Sequence, residues 1–274
     1  MFLTHTIHAL LFYTLTKLTA ASPLTPRDTT SLGLQVALNQ TSTCSPSALT
    51  ALQTAIDDAR SLSTSALTAL NNPTQNPASY FFPSNYASTA TSVFNAVLLA
   101  TEQMATGKGT TDPKTELNPI LLYCQDLDNM CDTKAPGNDN LNTKDTTTSN
   151  TLYGYVPEDA NPAPGFGTAQ IVICPALLTL PENPPPCTGT AGEATIGWAF
   201  LRTLLQLRSV QFGYSKAAKD AIFDYAPGVQ QSHGLLKTSM YGQNVDSFAE
   251  LATLSYDLGV TGSSMGCSED YEFV

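Results

Sequence analysis

The first regular alternation of apolar and polar positions begins at Ser45-Pro46. Serine as cap and proline in the first turn open a helix. Leu49, Leu52, Ile56, Ala59, Leu62 and Leu67 then recur at helical spacing, until Asn71-Asn72-Pro73 stops the helix near Leu70. A second helix is expected from about Ala87 to Ala105, with Val93, Val97, Leu98 and Met104 inward and Gly107-Lys108-Gly109 ending it. The middle of the chain changes period. Runs 119–124, 152–156 and 170–174 are short, apolar and bounded by Pro, Gly and Asn, so they read as strands of one small sheet. The polar stretches 133–150 and 157–167 between them read as surface loops.

The C-terminal part is helical again. Residues 194–210 carry Trp198, Leu201, Leu204, Leu205 and Leu207, and nothing after Gly197 interrupts them. The pattern predicts one long helix here, the element around which the rest is organised. A short helix is expected over 215–223, a Pro-Gly turn at 227–228 and a further helix over 229–240. A closing helix runs from Asn244 as cap to Leu258, with Phe248, Leu251, Leu254 and Leu258 inward. The fold class is therefore α+β, mainly helical with a small mixed sheet.

The ends add a compartment to this picture. Residues 1–21 hold the apolar run Ala9-Leu10-Leu11-Phe12-Tyr13 and finish in Thr19-Ala20-Ala21, which reads as a secretory signal peptide, although Lys17 sits late and no basic residue precedes the run. Residues 22–43, rich in Pro, Thr and Ser, read as a mobile leader or short pro-segment, leaving 44–274 as one domain. No later stretch is apolar for long enough to span a bilayer. Six cysteines, Cys44, Cys124, Cys131, Cys174, Cys187 and Cys267, suit an oxidising exterior. Of the ~15 pairings that six cysteines allow, proximity in sequence favours Cys124 with Cys131 and Cys174 with Cys187, leaving Cys44 with Cys267 to tie the ends together. Asn39-Gln40-Thr41 is a glycosylation sequon, so Asn39 is a candidate glycan site. The expected product is a secreted, extracellular, monomeric glycoprotein.

Charge excludes one class of partner. With 12 Lys and Arg against 23 Asp and Glu, the formal net charge is -11, and no basic cluster exists to release counterions from nucleic acid.

Several segments, in order, resemble parts of the fungal deuterolysin and peptidyl-lysine metalloendopeptidase group, the aspzincins. These are the helix starting just after Cys44, Tyr123-Cys124 with Cys131 behind it, and Ile171-Val172-Ile173-Cys174-Pro175. Asp224-Tyr225-Ala226-Pro227-Gly228 and Asn244-Val245-Asp246-Ser247-Phe248-Ala249 complete the set. The resemblance implies a zincin-like metallopeptidase fold stapled by disulfides. It also implies a zinc-binding His-Glu-x-x-His on the helix at 194–210, where histidines four apart share one face and the glutamate activates water. This chain has Arg202, Thr203 and Gln206 at those places, and Pro227 where the family usually has tyrosine. Asp224 matches the family's third ligand.

Composition deepens the departure. The three histidines are His5, His8 and His233, and the first two lie in the signal peptide. One histidine cannot supply a pair, and a guanidinium has no lone pair to give a metal. Arg202 is expected to form an ion pair with Asp224 or to be separately solvated.

The resulting expectation is a metalloendopeptidase-like pseudoprotease without a catalytic zinc or other cofactor, keeping a cleft for an extracellular peptide, protein or wall component. Asp224, Tyr225, Tyr241 and His233 are the cleft candidates, although the aromatic residues near the closing helix, Tyr256 and Phe248 included, read rather as packing of the last helices. Trp198 and Phe200 read as core. The alternatives are an active zinc enzyme using Asp224, Asp220, His233 and Glu193, and a carboxylate-based hydrolase. No Gly-rich phosphate loop precedes a helix, and an even cysteine set argues against thiol catalysis.

Overall fold

Helix α1 (Pro46–Asn71) starts where the Ser45 hydroxyl accepts the Ala48 amide proton at 3.2 Å. In this computed structural model the described residues are 44–72, 77–106, 119–126, 129–131, 152–162, 167–187, 194–211, 242 and 244–260. The signal peptide, the leader, Asn39 and the helices expected over 215–223 and 229–240 lie outside them. Along α1, Leu52, Ala55, Ile56, Ala59, Leu62, Ala66 and Ala69 are buried, so the apolar stripe predicted from sequence faces the core. Each fully buried leucine or isoleucine contributes about 1.5–3 kcal/mol. Small residues on the same stripe let other helices approach closely.

A short helix α2 (Ala78–Phe81) leads into α3 (Ala87–Thr106), which matches the second predicted helix. The three strands are β1 (Ile120–Tyr123), β2 (Gly154–Tyr155) and β3 (Ala169–Ile173). They form one mixed sheet in the order β1-β3-β2. The β1 and β3 strands are parallel, with Ile120 opposite Ala169 and Tyr123 opposite Val172, whereas β2 runs antiparallel to β3. Central β3 is paired on both sides: Ile171 and Ile173 face the helical core, and Val172 is buried on the other face against Tyr155 and Cys174.

The last helices are α4 (Ile196–Leu205), α5 (Arg208–Gln211) and α6 (Val245–Asp257). The single helix expected over 194–210 is thus two helices with a break at 206–207. Its cause is remote in sequence: the Asn161 side chain donates to the Gln206 carbonyl at 3.0 Å and accepts the Arg208 amide at 2.9 Å. The Gln211 side chain also donates to the Leu205 carbonyl at 3.1 Å. These bonds satisfy the end of α4 and the start of α5, where a continuous helix would bond to itself.

The organising element is α1 rather than α4. It packs against α3, α4 and α6, and one hydrophobic core joins residues of these helices to β1 and β3.

The expected disulfides are also corrected. Cys44 is bonded to Cys124 and Cys131 to Cys174. None of the pairs Cys124–Cys131, Cys174–Cys187 and Cys44–Cys267 therefore forms. Cys124 and Cys174 directly follow the parallel strands β1 and β3, so both bridges sit at the same end of the sheet. The Asp126 carboxylate accepts the Met130 and Cys131 amides and the Tyr155 hydroxyl, holding the Cys131 turn against β2 beside Cys174. Proximity misleads because loop-closure entropy grows only logarithmically with length, so strand geometry can favour bridges across 43 and 80 residues over pairs closer in sequence. Cys187 is disulfide-bonded as well, and Cys267 lies outside the described residues.

Among the described residues, no helix is long and apolar enough to cross a membrane.

Candidate functional site

The segment carrying Arg202, Thr203 and Gln206 is held at both ends. At its start, Thr195 caps α4 by accepting the Trp198 amide at 3.2 Å and donates its hydroxyl proton to the Asn183 side-chain oxygen at 2.5 Å. Asn183 in turn donates its backbone amide to the Asp58 carboxylate of α1 at 2.9 Å. Gly197 lies against this knot. A Cβ there would come within 2.6 Å of the Asp58 Cβ and 2.7 Å of the Asn183 side-chain nitrogen, so no larger residue fits. At its end, Gln206 is the C-terminal cap, fixed by Asn161.

Between these ends, the three positions point to different fates. Thr203 is buried, donates its hydroxyl proton to the Ala199 carbonyl at 3.1 Å, and packs on Gly154 of β2. A Cβ on Gly154 would meet the Thr203 hydroxyl and the Val172 carbonyl at 3.0 Å. Thr203 therefore fills the space between helix and sheet.

Arg202 faces α6. Its Nε lies 2.6 Å from Asp246 Oδ1, and its guanidinium carbon sits 4.6 Å from the centre of the Trp198 ring, one helical turn earlier. The Nε–H is not directed at that oxygen, so the contact is a charge pair rather than an aligned hydrogen bond. Trp198 is half-buried, with Tyr153 edge-on at 6.4 Å, so it belongs to this site as well as to the core. Phe200, by contrast, is wholly core.

Helix α6 supplies the opposing charge. Asp246 is 1 % exposed, Glu250 2 % and Asp257 3 %. At 100° per residue these three fall on one side of the helix. Burial pushes the Glu250 carboxyl up to about 8, the neighbouring Asp246 charge and the more distant Asp257 charge push the same way, and Arg202 and a hydrogen bond from Trp198 oppose them. At neutral pH Glu250 therefore carries a proton while Asp246 pairs with Arg202. Tyr256 is also raised, first by burial, then by Asp58 and Asp257.

The rest of α6 is packing. Phe248 lies 4.9 Å from Phe82 and 5.9 Å from Phe94, ring centre to ring centre, and Tyr86 stacks on Phe82. The Tyr86 hydroxyl donates to the Gly242 carbonyl at 3.1 Å. Phe248 is thus a core residue, and Tyr256 is packed against the same core.

No protein-family model matches this chain, and no curated protein does either. The site is accordingly read from its own chemistry.

A zinc ion on α4 would need lone-pair donors one turn apart, at positions 202 and 206. Arg202 offers none, and its guanidinium already occupies the seam against Asp246 and Trp198. Gln206 contributes a neutral amide at best. The residues present do not fit the metal. Among the described residues, no three His, Cys, Asp or Glu side chains are grouped as a metal site.

Asp224, Tyr225, His233 and Tyr241 lie outside the described residues, as do Asp220 and Glu193. The anion that the structure places on Arg202 is Asp246, an alternative not weighed from sequence. Glu250 was missed altogether. The signal available was weak: Asp246, Glu250 and Asp257 share a helical face, but an acidic face ordinarily meets water.

Proposed function

We propose that the protein is a non-catalytic, secreted relative of the aspzincin metalloendopeptidases, a pseudoprotease whose former metal position is taken by a charge pair internal to the fold. The observation that carries this reading is the Arg202 guanidinium 2.6 Å from buried Asp246 and stacked on Trp198. A permanent cation there supplies a positive charge without a coordination site. The ordered resemblance from Cys44 to the closing helix supports a zincin-like fold, and the α+β architecture with two disulfides is compatible with it. Disulfide bonding supports an oxidising destination outside the cell. On this reading, the protein acts by binding an extracellular peptide, protein or wall component.

Zinc content of the purified protein, measured by elemental analysis together with casein hydrolysis with and without chelator, tests the reading. The expected result is neither stoichiometric zinc nor chelator-sensitive cleavage. Stoichiometric zinc with chelator-sensitive cleavage would overturn it and direct attention to Asp224, Asp220, His233 and Glu193.

One observation favours a second reading, a carboxylate-based hydrolase. Glu250 with its raised carboxyl beside Asp246, which Arg202 faces, is the kind of asymmetric pair that acid–base chemistry uses. Their 2 % and 1 % exposure weighs against it, since a substrate would have to part α4 from α6 to reach them.

A further inference from the structure

The bridges Cys44–Cys124 and Cys131–Cys174 sit at the ends of neighbouring strands, yet on opposite faces of the sheet. Cys124, two residues after Leu122, packs with Cys44 on the helical core, whereas Cys174, two residues after Val172, joins the small cluster on the other face. Burial separates them further. Cys44 and Cys124 are both partly exposed, but Cys174 is fully buried, so a solute approaches the second bridge from Cys131.

These differences matter to thiol–disulfide exchange. A reductant's thiolate attacks one sulfur and expels the other as a thiolate, so the step needs an accessible sulfur and a solvated leaving group. At Cys44–Cys124 either half can take either part. At Cys131–Cys174, attack on Cys131 expels the Cys174 thiolate into the apolar company of Tyr155 and Val172, which disfavours its charge. The Asp126 carboxylate, accepting the Cys131 and Met130 amides and the Tyr155 hydroxyl, also keeps Cys131 beside Cys174 once that bond is cut, ready to close again.

We propose that Cys44–Cys124 is a redox-sensitive tether, which a small dithiol opens in the folded protein while Cys131–Cys174 stays closed. The first thiolate of the dithiol bonds to one protein sulfur as the Cys44–Cys124 bond breaks, and its second thiolate then displaces that sulfur. The dithiol leaves as a cyclic disulfide, oxidised by two electrons, and both cysteines, with two protons, become thiols. Opening the tether frees the start of α1 from the end of β1. The helix itself stays docked, because the Ser45 cap and the buried Leu52, Ile56 and Leu62 do not depend on the bridge. Nor does the second bridge slacken, since the loops 44–124 and 131–174 do not overlap.

The test exposes the native protein to graded dithiothreitol, quenches samples with excess N-ethylmaleimide and reads each cysteine by peptide mass spectrometry. Cys187, which is exposed and bonded apart from these two pairs, is scored separately. Cys44 and Cys124 are expected to be labelled together, at least ~10-fold faster than Cys131 and Cys174, while the near-ultraviolet circular dichroism keeps its native form. Labelling of Cys131 and Cys174 first, or of all four in step with loss of the native spectrum, overturns the proposal. The double variant Cys44→Ser with Cys124→Ser is expected to fold to the native spectrum. Its unfolding equilibrium constant in urea should rise by roughly a thousandfold, the loop-closure effect for a separation of 80 residues. A double variant that does not fold also overturns the tether, since the core would then depend on the bridge.

Discussion

Helices α1 and α6 pack against each other and against α4, yet they meet the core in opposite ways. The 26-residue α1 buries one stripe of apolar and small side chains and leaves its other face to water. Of its two buried serines, Ser63 and Ser65, Ser63 is satisfied within its own turn, the hydroxyl donating to the Ala59 carbonyl at 2.8 Å. The 13-residue α6 is buried on nearly every side and carries Asp246, Glu250 and Asp257 into the interior. Its charges depend on another element, α4, for Arg202 and Trp198. A buried hydroxyl satisfied within its own turn keeps its bond when neighbouring elements shift. A charge matched across an interface does not, because the partner left behind is a buried ion.

That contrast is sharpest at Arg202. Replacing it with methionine removes the charge beside Asp246 and should destabilise the protein by about 3–5 kcal/mol, read by urea unfolding. Replacing Arg202 and Asp246 together, by methionine and leucine, should recover most of that loss, since two matched apolar groups leave no ion in the seam. Equal losses in the single and double variants would show that the pair is not what joins α4 to α6.

The next test removes packing from α1 instead. Leu52→Ala, at a fully buried position, should cost about 3 kcal/mol through lost burial and the cavity left behind. Its cost should be the same on both sides of the Glu250 titration, because no ionisable group is involved. A loss for Leu52→Ala that varies with pH would dissolve the distinction between the two helices.

The smallest expected effect is at the start of α1. Ser45→Ala removes the hydroxyl that accepts the Ala48 amide and should cost about 1 kcal/mol in thermal or urea unfolding. The residue is exposed and close to the Cys44–Cys124 bridge, so the bridge keeps the first turn in place when the cap is lost. A much larger loss would mean that the cap, rather than the buried stripe, holds α1.

The candidate site was legible in part. Arg202 stood out through the resemblance, which puts it where a zinc-binding histidine would be, and its chemistry already argued against a metal. Its position against Asp246 was hidden, because the two lie 44 residues apart and meet only when α4 and α6 cross. Glu250 was hidden for a different reason. Its spacing from Asp246 is that of a solvated helical face, and only burial turns the same spacing into a raised carboxyl. The break at 206–207 was invisible as well, since the leucines continue through it and Asn161, which ends α4, lies 45 residues earlier.

By itself the sequence determined what depends on neighbours along the chain. The cap at Ser45, the apolar stripe of α1, the extent of α3, the three strands and the start of α6 at Asn244 all follow from local spacing and capping. The tertiary structure alone decided which cysteines meet, where α4 stops and which acid faces Arg202. Each of these turns on groups from distant segments brought within a few ångströms. The energy of such a meeting depends on the dielectric and geometry of the assembled interior, which no local pattern encodes.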